Sequence, residues 1–73
     1  MKRVKSMEIW LTRHAKQQAR ERGISIEEIK KVIQRGAKHI QEENKIVSDY
    51  THLRVVYKKV QEKHFIITVM IRI

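Results

Sequence analysis

Hydrophobic residues in the first half of the chain recur with the spacing of α-helices. The clearest stripe has three- and four-residue intervals and consists of Ile26, Ile29, Val32 and Ile33. It predicts a helix that ends near Arg35, just before Gly36. Ser25 and Glu28 have the spacing of a capping box, which predicts that the helix begins directly after Ser25.

A preceding helix is predicted over residues 13–22. Thr12 is a suitable N-cap, and Gly23, which follows the basic Arg22, is a stop signal. Ahead of this helix, the alternation of residues 7–11 predicts a short strand.

The hydrophobic period changes to two from Ala37 onward, which is typical of β-strands. Strands are predicted over 38–42, 46–50, 52–60 and 64–73, and the short turns between them favour antiparallel pairing. We therefore expect an α+β fold, β-α-α-β-β-β-β, with two N-terminal helices packed on one face of an antiparallel sheet. Residues 1–73 form one domain, and residues 1–6 are expected to be a basic, flexible N-terminus.

Alternation along the two longest predicted strands assigns their side chains to the two faces of the sheet. The helix-facing side chains are expected to be Leu53, Val55, Tyr57, Phe65, Ile67, Val69 and Ile71. The opposite face would present a basic surface of His52, Arg54, Lys58, His64, Thr68 and Arg72. The alternative is an ordinary solvated sheet face. The nearly continuous apolar run of the last strand is typical of a strand covered on both faces.

The net charge restricts the possible functions more than it restricts the possible folds. Seventeen Lys and Arg residues against eight Asp and Glu residues give a net charge of +9. Such an excess is typical of a protein that binds nucleic acid or an acidic protein partner, and the alternative is a basic domain whose lysines only aid solubility. The chain lacks a membrane-spanning apolar run, a signal-peptide pattern and cysteine, so we expect a cytoplasmic protein without a membrane role.

The available side chains restrict the chemistry. The histidines lack metal-ligand spacing and the carboxylates are scattered, so neither a metal nor another cofactor is predicted. The few aromatic residues argue against a base-stacking sheet. Histidine and arginine remain, and they suit RNA cleavage by acid–base catalysis with cations on the phosphate. His52 and Arg54 would lie on one strand face and could address one phosphate together.

A stripe on the first predicted helix adds a second candidate for this chemistry. His14, Gln18 and Arg22 are spaced four residues apart and therefore lie on one side of the helix. His14 would serve as an acid or base. The alternative is an inert first-turn histidine packed at the sheet edge.

Four segments of the chain resemble a small bacterial domain family of unknown function. They are Leu11-Thr12-Arg13-His14-Ala15, Arg22-Gly23-Ile24-Ser25, Arg54-Val55-Val56 and Ile66-Ile67-Thr68-Val69. Such domains are grouped with RelE-like, BrnT-like and colicin-type ribonuclease toxins. The resemblance implies a RelE/BrnT-like fold and a metal-independent endoribonuclease toxin of a toxin–antitoxin system, with RNA and an acidic antitoxin as partners.

The residue pattern and the resemblance together define the predicted site. The predicted catalytic residues are His14, Arg22, His52 and Arg54, and the predicted RNA contacts are Arg20, Lys58, His64, Thr68 and Arg72. Gln18 stands where the family has an arginine, which favours the alternative of a non-catalytic module that binds RNA, the ribosome or an acidic protein. A further alternative is a domain that forms homo-oligomers and whose charge is incidental.

Overall fold

The computed structural model describes residues 8–72, in which two helices and five strands follow one another. The strands are β1 (Glu8–Leu11), β2 (Ala37–Ile40), β3 (Lys45–Tyr50), β4 (Leu53–Val60) and β5 (Lys63–Ile71). The helices are α1 (Arg13–Arg22) and α2 (Ile26–Arg35), and a 3-10 turn, Glu42–Asn44, joins β2 to β3. The predicted element order is confirmed, whereas the predicted N-terminal segment 1–6 lies outside the described residues.

The strands form one mixed sheet in the order β1-β5-β4-β3-β2. The strands from β2 to β5 pair antiparallel, as predicted, while β1 pairs parallel with β5. A parallel pair needs a long crossover connection, and this chain places both helices and three strands between β1 and β5. The last strand of the chain therefore lies inside the sheet, next to the first.

Local capping explains where the helices begin and where α1 ends. Thr12 Oγ1 accepts a hydrogen bond from the Ala15 N–H at 3.1 Å. Ser25 and Glu28 form the predicted capping box at the start of α2. Gly23 follows α1 in the left-handed region, with φ at 66°, a conformation that glycine adopts without steric cost.

Gly36 follows α2 for a different reason, which is space. Its φ of −75° suits any residue, but a Cβ atom there would lie 2.5 Å from both Ser48 Oγ and the Val32 carbonyl oxygen. Ser48 is fully buried, and its hydroxyl donates to that same carbonyl at 2.6 Å. The end of α2 and β3 are therefore so close that a side chain at position 36 does not fit.

Both helices pack on the same face of the sheet and close one hydrophobic core. Helix α1 packs mainly against β5, and α2 against β3 and β4. The largest fully buried apolar side chains come from both layers and are Ile29, Ile66, Val32, Val55 and Val69. Within residues 8–72, neither helix has the length and apolar character needed to cross a membrane.

A β-bulge interrupts the pairing of β4 with β5. Val56 pairs with Thr68, while the next residue, Tyr57, pairs with Ile66, so Ile67 is the extra residue of β5. An extra residue shifts the alternation of side chains by one position. Cross-strand partners share a face, so Ile66 lies with the buried Tyr57 on the helix side and Thr68 lies with Val56 on the other side.

The bulge corrects part of the predicted assignment of faces. Phe65 and Ile67 were expected to face the helices, but Phe65 pairs with Lys58 on the opposite face and Ile67 belongs to the bulge. His64, expected on the basic outer surface, is buried on the helix side. The helices also cover only one face of β5, so the prediction of a strand covered on both faces is wrong.

Candidate functional site

The sheet face opposite the helices, called here the open face, carries a row of four paired side chains. Trp10 of β1 pairs with Phe65 of β5, Phe65 with Lys58 of β4, and Lys58 with Lys45 of β3. Because neighbouring strands are about 4.8 Å apart, this aromatic–lysine row extends about 14 Å across the sheet. Two aromatic rings thus lie at one end of the row and two ammonium groups at the other.

The aromatic end of the row is open to solvent. The rings of Trp10 and Phe65 are stacked, with centroids 6.4 Å apart and an interplanar angle of 29°. The Lys63 ammonium nitrogen lies 5.7 Å from the centroid of the Trp10 ring, within the range of a cation–π interaction. Trp10 is nevertheless 53% exposed, so a flat apolar surface bordered by cations faces the solvent.

A second polar group, called here the ionic cluster, lies along the same face on β2, β3 and β4. Arg54 Nε donates to Asp49 Oδ1 at 2.7 Å, and Arg54 Nη2 donates to Asp49 Oδ2 at 3.2 Å. The hydrogen bond from Arg54 holds the pKa of Asp49 below its ordinary value of 3.8 and raises the pKa of Arg54. His39 Nε2 lies 3.6 Å from Asp49 Oδ2, so a carboxylate stands beside an exposed imidazole.

Three of the predicted site residues lie where they were expected. Arg54, Lys58 and Thr68 are on the open face. Arg54 is four residues from Lys58 along β4, which separates the ionic cluster from the aromatic–lysine row by about 13 Å.

His52 and Arg72 border the end of the sheet rather than its open face. His52 belongs to the turn between β3 and β4, not to the strand as predicted. Its carbonyl oxygen accepts a hydrogen bond from the Arg72 N–H at 2.7 Å, and Arg72 Nη1 donates to the Thr51 carbonyl at 3.2 Å. These contacts place His52 and Arg72 next to each other at the β3–β4 turn.

His64 is the one predicted RNA contact that the structure removes from the surface. Its Nδ1 donates to the Glu8 carbonyl at 3.2 Å, because a carbonyl can only accept. Its ring lies 5.5 Å from the ring of Tyr57, whose pKa is raised by burial. His64 therefore links β5 to β1 on the helix side of the sheet and presents little surface to RNA.

The predicted residues of α1 lie on the other side of the sheet from Arg54. His14, Arg20 and Arg22 are exposed on a helix whose Ala15 and Ala19 belong to the core. The sheet thus separates the predicted catalytic residues of α1 from Arg54.

The comparisons identify a family for the chain but assign it no chemistry. A family model described as Domain of unknown function (DUF4258) matches residues 11–71. The chain belongs to this family. No curated protein and no solved structure matches the chain. The match confirms a family of unknown function, and the relation to ribonuclease toxins remains a proposal.

Gln18 has a structural contact in this DUF4258 chain that its sequence pattern did not suggest. Its Oε1 accepts a hydrogen bond from the Val69 N–H at 3.1 Å. Thr12 N–H donates to the Ile66 carbonyl at 3.1 Å on the same edge of β5. The Gln18 side chain therefore bonds to the same edge of β5 just beyond the residues that pair with β1.

Sequence reasoning missed the other half of the open face of the DUF4258 domain. The residues it missed are Trp10, Lys45, Lys63, His39 and Asp49. Trp10 and Phe65 were counted among sparse aromatics, but they are adjacent because β1 pairs with β5 across 55 residues of sequence separation. The available signal was the apolar–polar alternation around Trp10, which leaves a tryptophan on the face opposite Ile9 and Leu11.

Proposed function

We propose that this domain binds single-stranded RNA across its open face, with bases on the aromatic end of the aromatic–lysine row and phosphates on the lysines. The observation that carries the proposal is the exposed Trp10 ring, stacked on Phe65 and bordered by Lys63. Stacking of a base on an aromatic side chain contributes about 1–3 kcal/mol and tolerates any sequence. The Trp10–Phe65 pair thus supports base stacking on this sheet, although the few aromatic residues of the sequence predicted none.

Charge supports the same proposal. The chain carries a net charge of +9, and Lys45 and Lys58 continue the row beyond the two rings. Both lysines are half-buried, so their ammonium groups extend from a fixed sheet position. A strand of RNA crossing the sheet would meet stacking surfaces first and cations next, the arrangement used by proteins that hold single strands.

Salt dependence of RNA binding tests the lysine end of the row. The logarithm of the binding constant falls with the logarithm of salt concentration, with a slope of about −0.7 for each phosphate neutralised on a single strand. Lys58→Ala and Lys45→Ala should each reduce the slope by about that amount. Lys16→Ala removes the same charge from the exposed side of α1 and is the matched control. Equal slope changes in all three variants would refute binding on the open face.

A second candidate function, favoured by the ionic cluster, is metal-independent RNA cleavage. His39 is an exposed imidazole beside a carboxylate whose other partner is Arg54. In such a reaction a base takes the 2′-hydroxyl proton, the 2′-oxygen forms a bond to phosphorus, and the 5′-oxygen leaves with a proton from an acid. The products are a 2′,3′-cyclic phosphate and a 5′-hydroxyl. This candidate is the endoribonuclease toxin implied by the resemblance to RelE-like and BrnT-like proteins.

Cleavage of a mixed RNA in the presence of EDTA separates the two candidates. The toxin proposal predicts cyclic-phosphate products, which the base or acid variant abolishes. His39→Ala, His52→Ala and His14→Ala test the three exposed imidazoles one at a time, and Arg54→Lys tests the phosphate contact. RNA that is bound but stays intact would refute the cleavage proposal and support non-catalytic RNA binding.

The toxin candidate also includes a protein partner and a cellular location. As a toxin the domain would act in the cytoplasm, on free or ribosome-bound RNA, and an acidic antitoxin would neutralise it. Co-expression with a candidate acidic antitoxin tests this part, because an antitoxin should relieve growth arrest and co-purify at a fixed stoichiometry. Sedimentation at several protein concentrations tests the alternative of a homo-oligomer.

A further inference from the structure

Among the described residues, β1 and β2 are the two outermost strands of the sheet, and β2 is the more exposed of the two. All four residues of strand β2, Ala37–Ile40, are exposed. Ile40 is 78% exposed, the largest value among the exposed large hydrophobic residues in the described part of the chain. An edge strand with an exposed apolar side chain is a template for pairing with another strand.

The hydrogen-bond register identifies which backbone groups of β2 are available. Gln41 N–H donates to the Lys45 carbonyl at 2.7 Å, next to the pair formed by Ile40 and Ile46. In an antiparallel ladder, bonded and non-bonded pairs alternate. Ile40 and Lys38 are therefore the non-bonded positions, and their N–H and C=O groups point away from β3.

The β1 side of the sheet differs from the β2 side in its contacts and in its charge. Beyond β1, the N–H of Val69 in β5 is already bonded to the Gln18 side chain. At the β1 edge, Glu8 pairs with Lys63 of β5, so the charges there balance. At the β2 edge, Lys38 and His39 lie beside Lys45 and Asp49 of β3, and Asp49 is bonded to Arg54, which leaves this edge the more basic of the two.

We infer that β2 binds an extended acidic segment of a partner protein as an added sixth strand. The outward N–H and C=O groups of Lys38 and Ile40 would bond to the backbone of that segment, and Ile40 would contact its apolar side chains. Charge disfavours a second copy of this chain as the occupant, because symmetric antiparallel pairing would bring Lys38 and His39 of one chain close to the same two residues of the other and join two chains of +9 each.

Binding of a protein segment at β2 is a separate activity from RNA binding and involves different residues. A short peptide of alternating Glu and Val is a suitable probe. Its control is the same peptide with N-methyl groups on alternate amides, which keeps the charge and removes the hydrogen-bonding edge. Methylation should weaken binding about tenfold or more, the loss expected when several backbone hydrogen bonds are removed. Equal binding of both peptides would overturn the inference.

Amide exchange locates the bound peptide on the protein itself. The peptide should slow hydrogen exchange at the Lys38 and Ile40 amides, which face outward, and change the His39 amide less, since His39 is already in a bonded pair with Val47. Slowing confined to other strands would place the peptide elsewhere and refute the β2 edge. Concentration-dependent pairing of the protein alone at these amides would identify a second copy as the occupant and would also refute it.

A proline variant separates this inference from the proposed function. In Ile40→Pro the lost N–H is one that does not bond to β3, so the sheet should keep its pairing. Circular dichroism checks that the variant folds. It should lose peptide binding and retain RNA binding, whereas Trp10→Ala should retain peptide binding and bind RNA about tenfold more weakly. Retained peptide binding in a folded Ile40→Pro would contradict the inference regardless of what RNA does.

Discussion

The two faces of the sheet are made by alternate residues of the same strands, yet they carry different side chains. On the helix side, Val55, Ile66 and Val69 are completely buried. On the open face, Val56, Phe65 and Met70 are half-buried, and Lys58 and Arg54 lie between them. The helix side therefore carries most of the buried core, whereas the open face is a mixed apolar and cationic surface on which Val47 is also buried.

A chain of this length has little core to spare, and its charges have to lie where they cost no burial. Many of its cations are exposed on the two helices, and the open face adds Lys45, Arg54, Lys58 and Lys63 at a spacing set by the strands. If the two faces do have separate tasks, substitutions on one should change stability, and substitutions on the other should change binding.

The largest effect should come from the helix side. Ile66→Ala removes a fully buried side chain, and we expect it to lower the free energy of unfolding by about 3 kcal/mol, because lost burial and a residual cavity add together. Val56→Ala on the open face should cost about 1 kcal/mol or less. Urea unfolding of both variants measures the contrast. Equal losses would show that the open face is also part of the core.

The contact between α2 and β3 should come next. Gly36→Ala would place Cβ against Ser48 Oγ and the Val32 carbonyl, and we expect a loss of about 2 kcal/mol from overpacking. Gly23→Ala is the control, since its site is spacious and its cost, about 1 kcal/mol, comes only from φ at 66°. Thermal unfolding compares them. A Gly36→Ala protein as stable as the wild type would disprove the close approach.

The open face should give the converse result. Trp10→Ala should weaken binding of a short oligouridine about tenfold, equivalent to about 1.4 kcal/mol of lost stacking, while unfolding changes less than in Ile66→Ala. Fluorescence anisotropy at fixed salt measures the affinity, with Lys16→Ala as the control on the helix side. An unchanged affinity in Trp10→Ala would remove the aromatic end from the proposed interface.

A substitution in the β4–β5 turn, which belongs to neither face, should raise stability without changing RNA binding. Gln61 begins the two-residue turn between β4 and β5 with φ at 58°, which is unfavourable for a residue with a side chain. Gln61→Gly should raise the free energy of unfolding by about 0.5 kcal/mol, the relief of strain less the added flexibility of glycine. RNA affinity should not change. A destabilised Gln61→Gly would indicate that its side chain makes a needed contact.

The smallest effect, and a pH-dependent one, should come from the ionic cluster. Arg54 depresses the pKa of Asp49 in the folded protein, so the ionised carboxylate stabilises the fold above the ordinary value of 3.8. That contribution is lost as the pH falls through the folded-state pKa. Asp49→Asn should therefore be less stable than the wild type near neutral pH and equal to it in strong acid. Thermal unfolding across this range measures the difference, and a gap that is constant with pH would contradict the ion pair.

Local patterns predicted the helices well, and long-range pairing explains what they missed. Thr12, Ser25 with Glu28, and Gly23 act on their immediate neighbours, so their effect could be predicted from adjacent residues. The bulge at Ile67 shifts the alternation after Ile66 and could not be recognised in a run of apolar residues.

The candidate site was predicted only in part for the same reason. The faces of Arg54, Lys58 and Thr68 were predicted correctly, because side chains alternate regularly along β4 and along the part of β5 that follows the bulge. Trp10 and Phe65 meet only because β1 pairs with β5, and no local pattern encodes that register. His64 was misplaced because its buried contact is with the carbonyl of Glu8 in β1.

Titration of the protein's own fluorescence with single-stranded RNA tests the open face most directly. Trp10 is the sole tryptophan of the chain, so its emission reports one position on that face. If bases stack on Trp10, its emission should be quenched as a short oligouridine is added, with the same midpoint that anisotropy gives for the labelled RNA. RNA that binds by anisotropy while the emission of Trp10 stays unchanged would place the RNA elsewhere on the protein.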